Sequence, residues 1–176
     1  VGRIARVRRV EILLKAVEKL SIPFHLTLVG GEEKTASLSK LGYIKELKEL
    51  CKTLNLTDRV TFAGPVPHSE LSSWYKKADI FVYPSLYENF GQPILEAAAS
   101  GLPIISTPVG VANEIIADGE TGFLVNDDDQ ELADRITQLE NNNLRLKMGN
   151  ALRKKVSKSY GWQNIMDQYM DLYQSL

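Results

Sequence analysis

Two glutamates, Glu88 and Glu96, stand eight residues apart in the stretch YENFGQPILEAAASG, which runs from Tyr87 to Gly101. Pro93 fits the first position of a helix, where a missing N–H costs nothing, and Gly101 with Pro103 marks its end. Glu88 then lies just before the helix. Glu96 falls about one turn inside it, ~5 Å along the axis from the unpaired N–H groups at ~1.5 Å per residue. Those N–H groups and the positive end of the helix dipole make a site for an anion. A diphosphate held there would have one carboxylate towards each of its two substituents.

The segment between the acids, Asn89 to Pro93, suits such a ligand. Gly91 lets backbone come close, and Phe90, Gly91, Gln92 and Ile94 carry N–H groups that Pro93 lacks. Arg3, Arg6, Arg8 and Arg9 crowd into seven residues after the first apolar run, and guanidinium forks match phosphate oxygens. On composition alone these arginines read as a solvated basic loop, and the helix start beside them shifts the balance towards phosphate. A carboxylate pair also suggests hydrolysis by one acid and one base. The position of Glu96 argues against that, because the helix dipole stabilises its anion. An ionised carboxylate there suits hydrogen bonds from a vicinal diol such as a ribose, although a glutamate that merely favours a helix start satisfies the same pattern. Gly30-Gly31 and Gly64-Pro65-Val66 read as turn chemistry on the same proposed ligand edge.

The elements that must position these groups alternate. Apolar runs at Val1–Ile4, Phe24–Val29, Val60–Phe62, Ile80–Tyr83, Pro103–Ser106 and Gly122–Val125 are separated by amphipathic stretches at Glu11–Leu20, Leu41–Leu54, Ser69–Lys77, Pro93–Ser100, Ala112–Ala117 and Gln130–Asn141. This predicts an α/β fold, a doubly wound parallel sheet of six strands with flanking helices. Ligands of such sheets bind at the carboxyl ends of the strands, and the loops named above all follow strands. Two further helices are predicted, over Arg145–Ser159 and Trp162–Tyr173. The second carries Trp162, Ile165, Met166, Tyr169, Met170 and Tyr173 as an apolar stripe, a packing face whose partner need not be this domain.

Composition narrows the function classes. The 176 residues are 44% apolar, enough for one cored domain, and 21 basic against 22 acidic residues leave no dominant footprint for nucleic acid or anionic membrane. No apolar run reaches the ~20 residues that span a bilayer. The chain opens on VGRI without methionine, which suggests a segment removed upstream. Cys51 is a single cysteine at helical spacing with core leucines, so it fits a reducing, cytoplasmic setting; membrane-peripheral attachment of a longer protein stays open. His25 reads as structural and His68 as a helix cap, and neither histidine has the company a metal needs. The run Asp127–Asp129 reads as a helix start and not a calcium loop. Glu32–Lys40 is polar and capable of forming a lid. No G-x-G-x-x-G follows the first strand, which argues against an oxidoreductase.

Taken together, ENFGQPILEAAASGLP resembles the E-x-F-G-x-x-x-x-E signature of the retaining, nucleotide-sugar-dependent glycosyltransferases of group 1, with the two-domain GT-B fold. VGR, DRVTFAGPVP, ADIFVYPS, GLPIISTPVG, DGETGFLV and the closing YGWQNIMDQYMDLY follow in that family's order. The resemblance implies a Rossmann-like donor-binding domain over residues 1–160, and a helix over 161–176 that packs towards an amino-terminal acceptor domain absent from this chain. It implies that Glu88 holds donor-sugar hydroxyls, Glu96 the ribose diol, and Arg3 and Arg8 the diphosphate, with Gly2, Gly30, Val66, Asn89, Phe90, Gly91, Gln92 and Ile94 lining the site. It also implies a UDP- or GDP-sugar as substrate, retention of configuration, and neither metal nor cofactor; the acceptor, a sugar or a lipid, is open. Two departures stand out. The family's usual lysine followed by glycine is here Arg8 followed by Arg9, and Val111 replaces a glycine after Gly110, which predicts a narrower cleft there. A sugar-nucleotide epimerase of the same architecture and a non-catalytic nucleotide-binding module are the alternatives.

Overall fold

A computed structural model describes residues 1–32 and 42–175. Five strands and eight α-helices alternate along the described chain. Strands β1 (Leu26–Val29) and β2 (Val60–Gly64) pair in parallel, and β3 (Phe81–Tyr83), β4 (Ile104–Ser106) and β5 (Gly122–Leu124) form a second parallel sheet in that order. The helices are α1 (Val10–Glu18), α2 (Tyr43–Thr53), α3 (Leu71–Lys76), α4 (Gln92–Ala99), α5 (Ala112–Ile115), α6 (Asp129–Gln138), α7 (Asn142–Tyr160) and α8 (Trp162–Gln174). This is the α/β class that the alternation predicts.

The expected first strand is the main departure. Gly2 N donates to Val29 O at 2.9 Å and Ile4 N to Gly31 O at 2.9 Å, so residues 1–4 run alongside the end of β1. They do not become a strand, because Gly2 takes φ +121°, outside the extended region of L-residues, and the run gains two bonds only. The strands therefore form sheets of two and three instead of one sheet of six. An apolar cleft of about 600 Å³ lies between them, walled by Leu26, Leu28, Phe81 and Val82 with Val1 at its edge. None of Arg3, Arg8, Glu88 or Glu96 lines this cleft.

Two clusters make up the core. One joins Val10, Leu13, Leu14 and Val17 of α1 to Leu47 of α2, Leu28 of β1 and Leu132 and Ile136 of α6. The other joins Ile94, Ala97 and Ala98 of α4 to Ile104 of β4, Ile115 of α5 and Leu152 of α7. Each such large apolar side chain contributes about 1.5–3 kcal/mol by leaving water. Helices start where side chains satisfy open N–H groups: Asp128 accepts from Glu131 N at 2.7 Å before α6, and Asn141 from Leu144 N at 3.2 Å before α7. The acidic run Asp127–Asp129 is accordingly a helix start. Cys51 is buried, as its spacing predicts. The proposed lid over Glu32–Lys40 lies outside the described residues except for Glu32, whose carboxylate accepts from Gly42 N (3.2 Å) and Ile44 N (2.5 Å) at the start of α2.

Helix α8 buries none of its residues. Trp162, Tyr169 and Tyr173 are 76%, 55% and 68% exposed, so these residues of the stripe face mostly solvent. No helix among the described residues is long and apolar enough to cross a membrane.

Candidate functional site

The site is assembled where the loop after β3 meets the amino-terminal loop and the start of α4. Leu86 N donates to Val7 O at 2.8 Å, and the buried Ser85 hydroxyl reaches the carbonyl oxygens of Val7 (3.1 Å) and Tyr87 (2.8 Å). Thr107 Oγ1 holds Ser85 O at 2.5 Å from beyond β4. Two loops far apart in sequence are thereby tied into one surface.

Gly91 takes φ +91° and is the residue before α4, placing Gln92 and Pro93 as the first two helical residues. It is this left-handed φ that calls for glycine, and a Cβ at Gly91 would in addition press on the tip of the Ile94 side chain, 2.9 Å from its Cδ1. Gly2 packs towards Pro93, with a Cβ there 3.7 Å from Pro93 Cγ, and Gly30 sits so close to Gly2 that a Cβ would be 1.8 Å from Gly2 O. Gly2, Gly30 and the start of α4 thus share one edge, as the strand-end argument predicts.

Both acids reach that edge. Glu88 Oε2 accepts from Tyr83 OH at 2.6 Å and from Arg8 Nη1, which also donates to Ser85 Oγ (3.2 Å) and Tyr87 O (3.3 Å). Asn89 N donates to Glu88 Oε1 at 3.1 Å. Burial alone would raise the Glu88 pKa, but the Tyr83 hydrogen bond and the Arg8 charge outweigh it and hold the carboxyl below its ordinary 4.5. Glu88 is therefore an anion that accepts hydrogen bonds and has no proton to give. Glu96 Oε2 accepts from Tyr75 OH at 2.9 Å, and its Oε1 lies 3.1 Å from both His68 Nε2 and Gln92 Nε2.

The remaining predicted residues divide. Arg3 is exposed and lies between Gly2 and Ile4, whose N–H groups bond to the end of β1, which puts its backbone on the same edge. Val66 is half-buried in the loop between β2 and the 3-10 turn His68–Glu70, the loop from which His68 reaches Glu96. The N–H groups of Phe90, Gly91 and Gln92 donate no hydrogen bond among the described residues. Ile94 N is already used by Gly91 O at 2.8 Å, so it is not the open donor its sequence position predicts; the turn closes on itself.

Three other expectations are corrected. The four arginines do not form one cluster, because the 3-10 turn Arg6–Arg8 sends them apart. Arg6 pairs with Glu46 at 2.5 Å over the Tyr43 ring, and Arg9 pairs with Glu11 (2.8 Å) and Asp127 (2.6 Å). His68 makes no side-chain cap and turns to Glu96 instead. Val111 is 1% exposed within the second core cluster, so its side chain packs inward and does not narrow the cleft.

Sequence reasoning missed Tyr75, Tyr83 and Ser85. Tyr83 sits in the apolar run Ile80–Tyr83 and Tyr75 in the amphipathic stretch Ser69–Lys77, and neither pattern marks a site residue; the available signal was that a buried tyrosine hydroxyl needs a partner. Among the described residues no group of three or more His, Cys, Asp or Glu side chains could hold a metal.

Residues 1–155 match the family model described as glycosyl transferases group 1. A D-inositol 3-phosphate glycosyltransferase of Corynebacterium urealyticum is 34% identical over 183 residues, covering 100% of this chain and 42% of that protein. The sucrose-phosphate synthase of Thermosynechococcus elongatus is similar in structure with a TM-score of 0.88 and 33% identity, covering 99% of this chain and 44% of the other. Anabaena HepE, solved with UDP, superposes with a TM-score of 0.89 at 25% identity, covering 99% and 48%; the same protein has been solved with UDP-glucose. The chain spans less than half the length of these relatives.

Proposed function

The chain belongs to the group 1 glycosyl transferases, and from that premise we propose that it is the donor-binding, carboxy-terminal half of a retaining enzyme that moves a hexose from a nucleoside diphosphate sugar to an acceptor. The observation that carries this reading is the pair of acids at one helix start, Glu88 held by Tyr83 and Arg8, and Glu96 held by Tyr75. A diphosphate at the open N–H groups of Phe90, Gly91 and Gln92 has Glu88 towards its sugar and Glu96 towards its ribose. The Glu88 anion accepts sugar hydroxyls, and Glu96 accepts the ribose diol. Val66 lies in the loop nearest the base.

In the reaction the bond from the sugar's anomeric carbon to the diphosphate oxygen breaks while a bond forms to an acceptor hydroxyl oxygen, whose proton leaves with the nucleoside diphosphate, and charge grows on the leaving phosphate. Arg8, tied to Ser85, Tyr87 and Glu88, meets that charge together with Arg3 and the helix-start N–H groups, so this reading calls on neither metal nor cofactor. Uridine is the favoured base because HepE, similar over nearly the whole chain, is a UDP complex; guanosine is the second choice. The acceptor, a sugar or a lipid, is bound by an amino-terminal domain that this chain does not contain. Without that domain the chain binds donor and transfers poorly. The exposed face of α8 is the surface that meets it.

The test is to incubate the full-length protein with isotope-labelled UDP-glucose and candidate acceptors, and to read the product anomer by NMR. Transfer with the anomeric configuration of the donor is the expected result. An epimerised sugar nucleotide would reassign the protein to the epimerases, and bound but unchanged donor would make it a binding module.

A further inference from the structure

Each acid of the pair is held by a tyrosine whose ring is part of the core. Tyr75 is 3% exposed and Tyr83 6%. Between them stands Phe81, its ring 5.8 Å from that of Tyr75 edge-on and 5.9 Å from that of Tyr83 in a stacked arrangement. One buried aromatic block therefore ends in two hydroxyls, one on Glu96 at 2.9 Å and one on Glu88 at 2.6 Å. A buried tyrosine hydroxyl needs an acceptor, and here both find theirs in the two residues that the donor-site reading uses.

We propose that Tyr75 and Tyr83 are positioning residues that aim Glu96 and Glu88 at the two ends of the nucleotide sugar, an inference that rests on the donor-site reading above. The other donors to Glu96 differ in kind. His68 and Gln92 are exposed and share Oε1, so a ribose diol can replace them, whereas Tyr75 on Oε2 stays in the core. The carboxylate then presents Oε1 to the ligand at an angle set by the protein interior. Burial, followed by the hydrogen bond to the neighbouring acid, pushes both phenols well above their ordinary range, so both remain donors. At the other end, Arg8 lies over the Tyr83 ring at 5.3 Å, so Tyr83 orients the cation as well as the acid.

Calorimetry on the intact protein with UDP and with 2′,3′-dideoxy-UDP tests the Tyr75 role. Tyr75→Phe keeps the ring and its packing. It is expected to weaken UDP by about 3- to 10-fold, the size of one ordinary hydrogen bond, and to leave the dideoxy nucleotide within about twofold. In a Glu96→Ala background the same change is expected to add nothing. An equal loss with both nucleotides, no loss with either, or full additivity with Glu96→Ala overturns the proposal for Tyr75. Wild-type protein that binds both nucleotides alike instead removes the ribose role of Glu96, and the Tyr75 role with it. For Tyr83, Tyr83→Phe is expected to lower kcat of transfer by about 3- to 10-fold with UDP affinity kept; UDP affinity falling as far as kcat overturns that half.

Discussion

A Cβ built on Gly110 would lie 2.4 Å from the carbonyl oxygen of Phe90, the atom that accepts the Val111 N–H at 2.7 Å. The same Cβ would stand 3.3 Å from Glu88 Cγ, so the loop after β4 is pressed against the loop that carries the acid. No side chain fits between them.

Gly110→Ala is therefore expected to destabilise by about 1–3 kcal/mol, and to lower transfer further by displacing Glu88. Gly119 supplies the control, since its φ is +76° yet nothing lies within 4 Å of a Cβ there. Gly119→Ala is expected to cost only the left-handed strain, about 1–2 kcal/mol, with activity kept. Urea titration of both variants checks this, and equal loss of transfer in the two would show that the contact with Phe90 is immaterial.

The Glu88 carboxyl gives stability a defined pH dependence. Its folded pKa lies below the ordinary 4.5, so its contribution is fully present above that value and is lost as pH falls through the folded pKa. Glu88→Gln removes the titrating group. The difference in Tm between wild type and Glu88→Gln is expected to be largest above pH 5 and to shrink steadily on acidification below about pH 4.5. A difference that stays constant from neutral to acid pH would mean that Arg8 and Tyr83 do not hold the anion.

Close packing of α4 on α7 depends on a second glycine. A Cβ on Gly149 would lie 2.0 Å from Gly101 O and 3.3 Å from Pro103 N, both backbone atoms that cannot swing aside. Gly149→Ala gains helix propensity, about 1 kcal/mol, and loses more by forcing the helices apart. Net destabilisation of about 1–3 kcal/mol is expected by urea unfolding. A stabilised variant would refute the close crossing.

Much of this arrangement was legible before any coordinates. The alternation of apolar runs and amphipathic stretches predicted six strands and eight helices, of which five strands and all eight helices form, because hydrophobic period and Gly/Pro punctuation are local signals. Glu88, Gly91 and Glu96 were legible for the same reason: proline, glycine and acid sit at fixed offsets from one helix start. What was not legible depends on contacts between distant residues. The separation of Arg6 and Arg9 from Arg8 follows from partners 40 and more than 100 residues away, Glu46 and Asp127. The tyrosine hydroxyls on the acids belong to rings that local pattern assigns to the core. Residues 1–4 have a strand's composition, and only the φ of Gly2 and their position at the end of β1 keep them out of a sheet.

The stripe on α8 separates two meanings of an apolar helix. Trp162, Tyr169 and Tyr173 are mostly open to solvent, so changing them to serine removes little buried apolar area from this chain, and its unfolding free energy is expected to move by less than about 1 kcal/mol. In the full-length protein the same three changes remove apolar area from the proposed contact with the acceptor domain. There they are expected to cost several kcal/mol in total, at about 25 cal/mol per Å² of area no longer buried, and to slow transfer by loosening the two halves. Urea unfolding of the short and long proteins side by side makes the comparison, with limited proteolysis reporting on cleavage between the halves. A triple variant that weakens the short chain as much as the long one would mean that α8 packs on its own domain. One that weakens neither would mean that its aromatic face serves some other contact than the one between the halves.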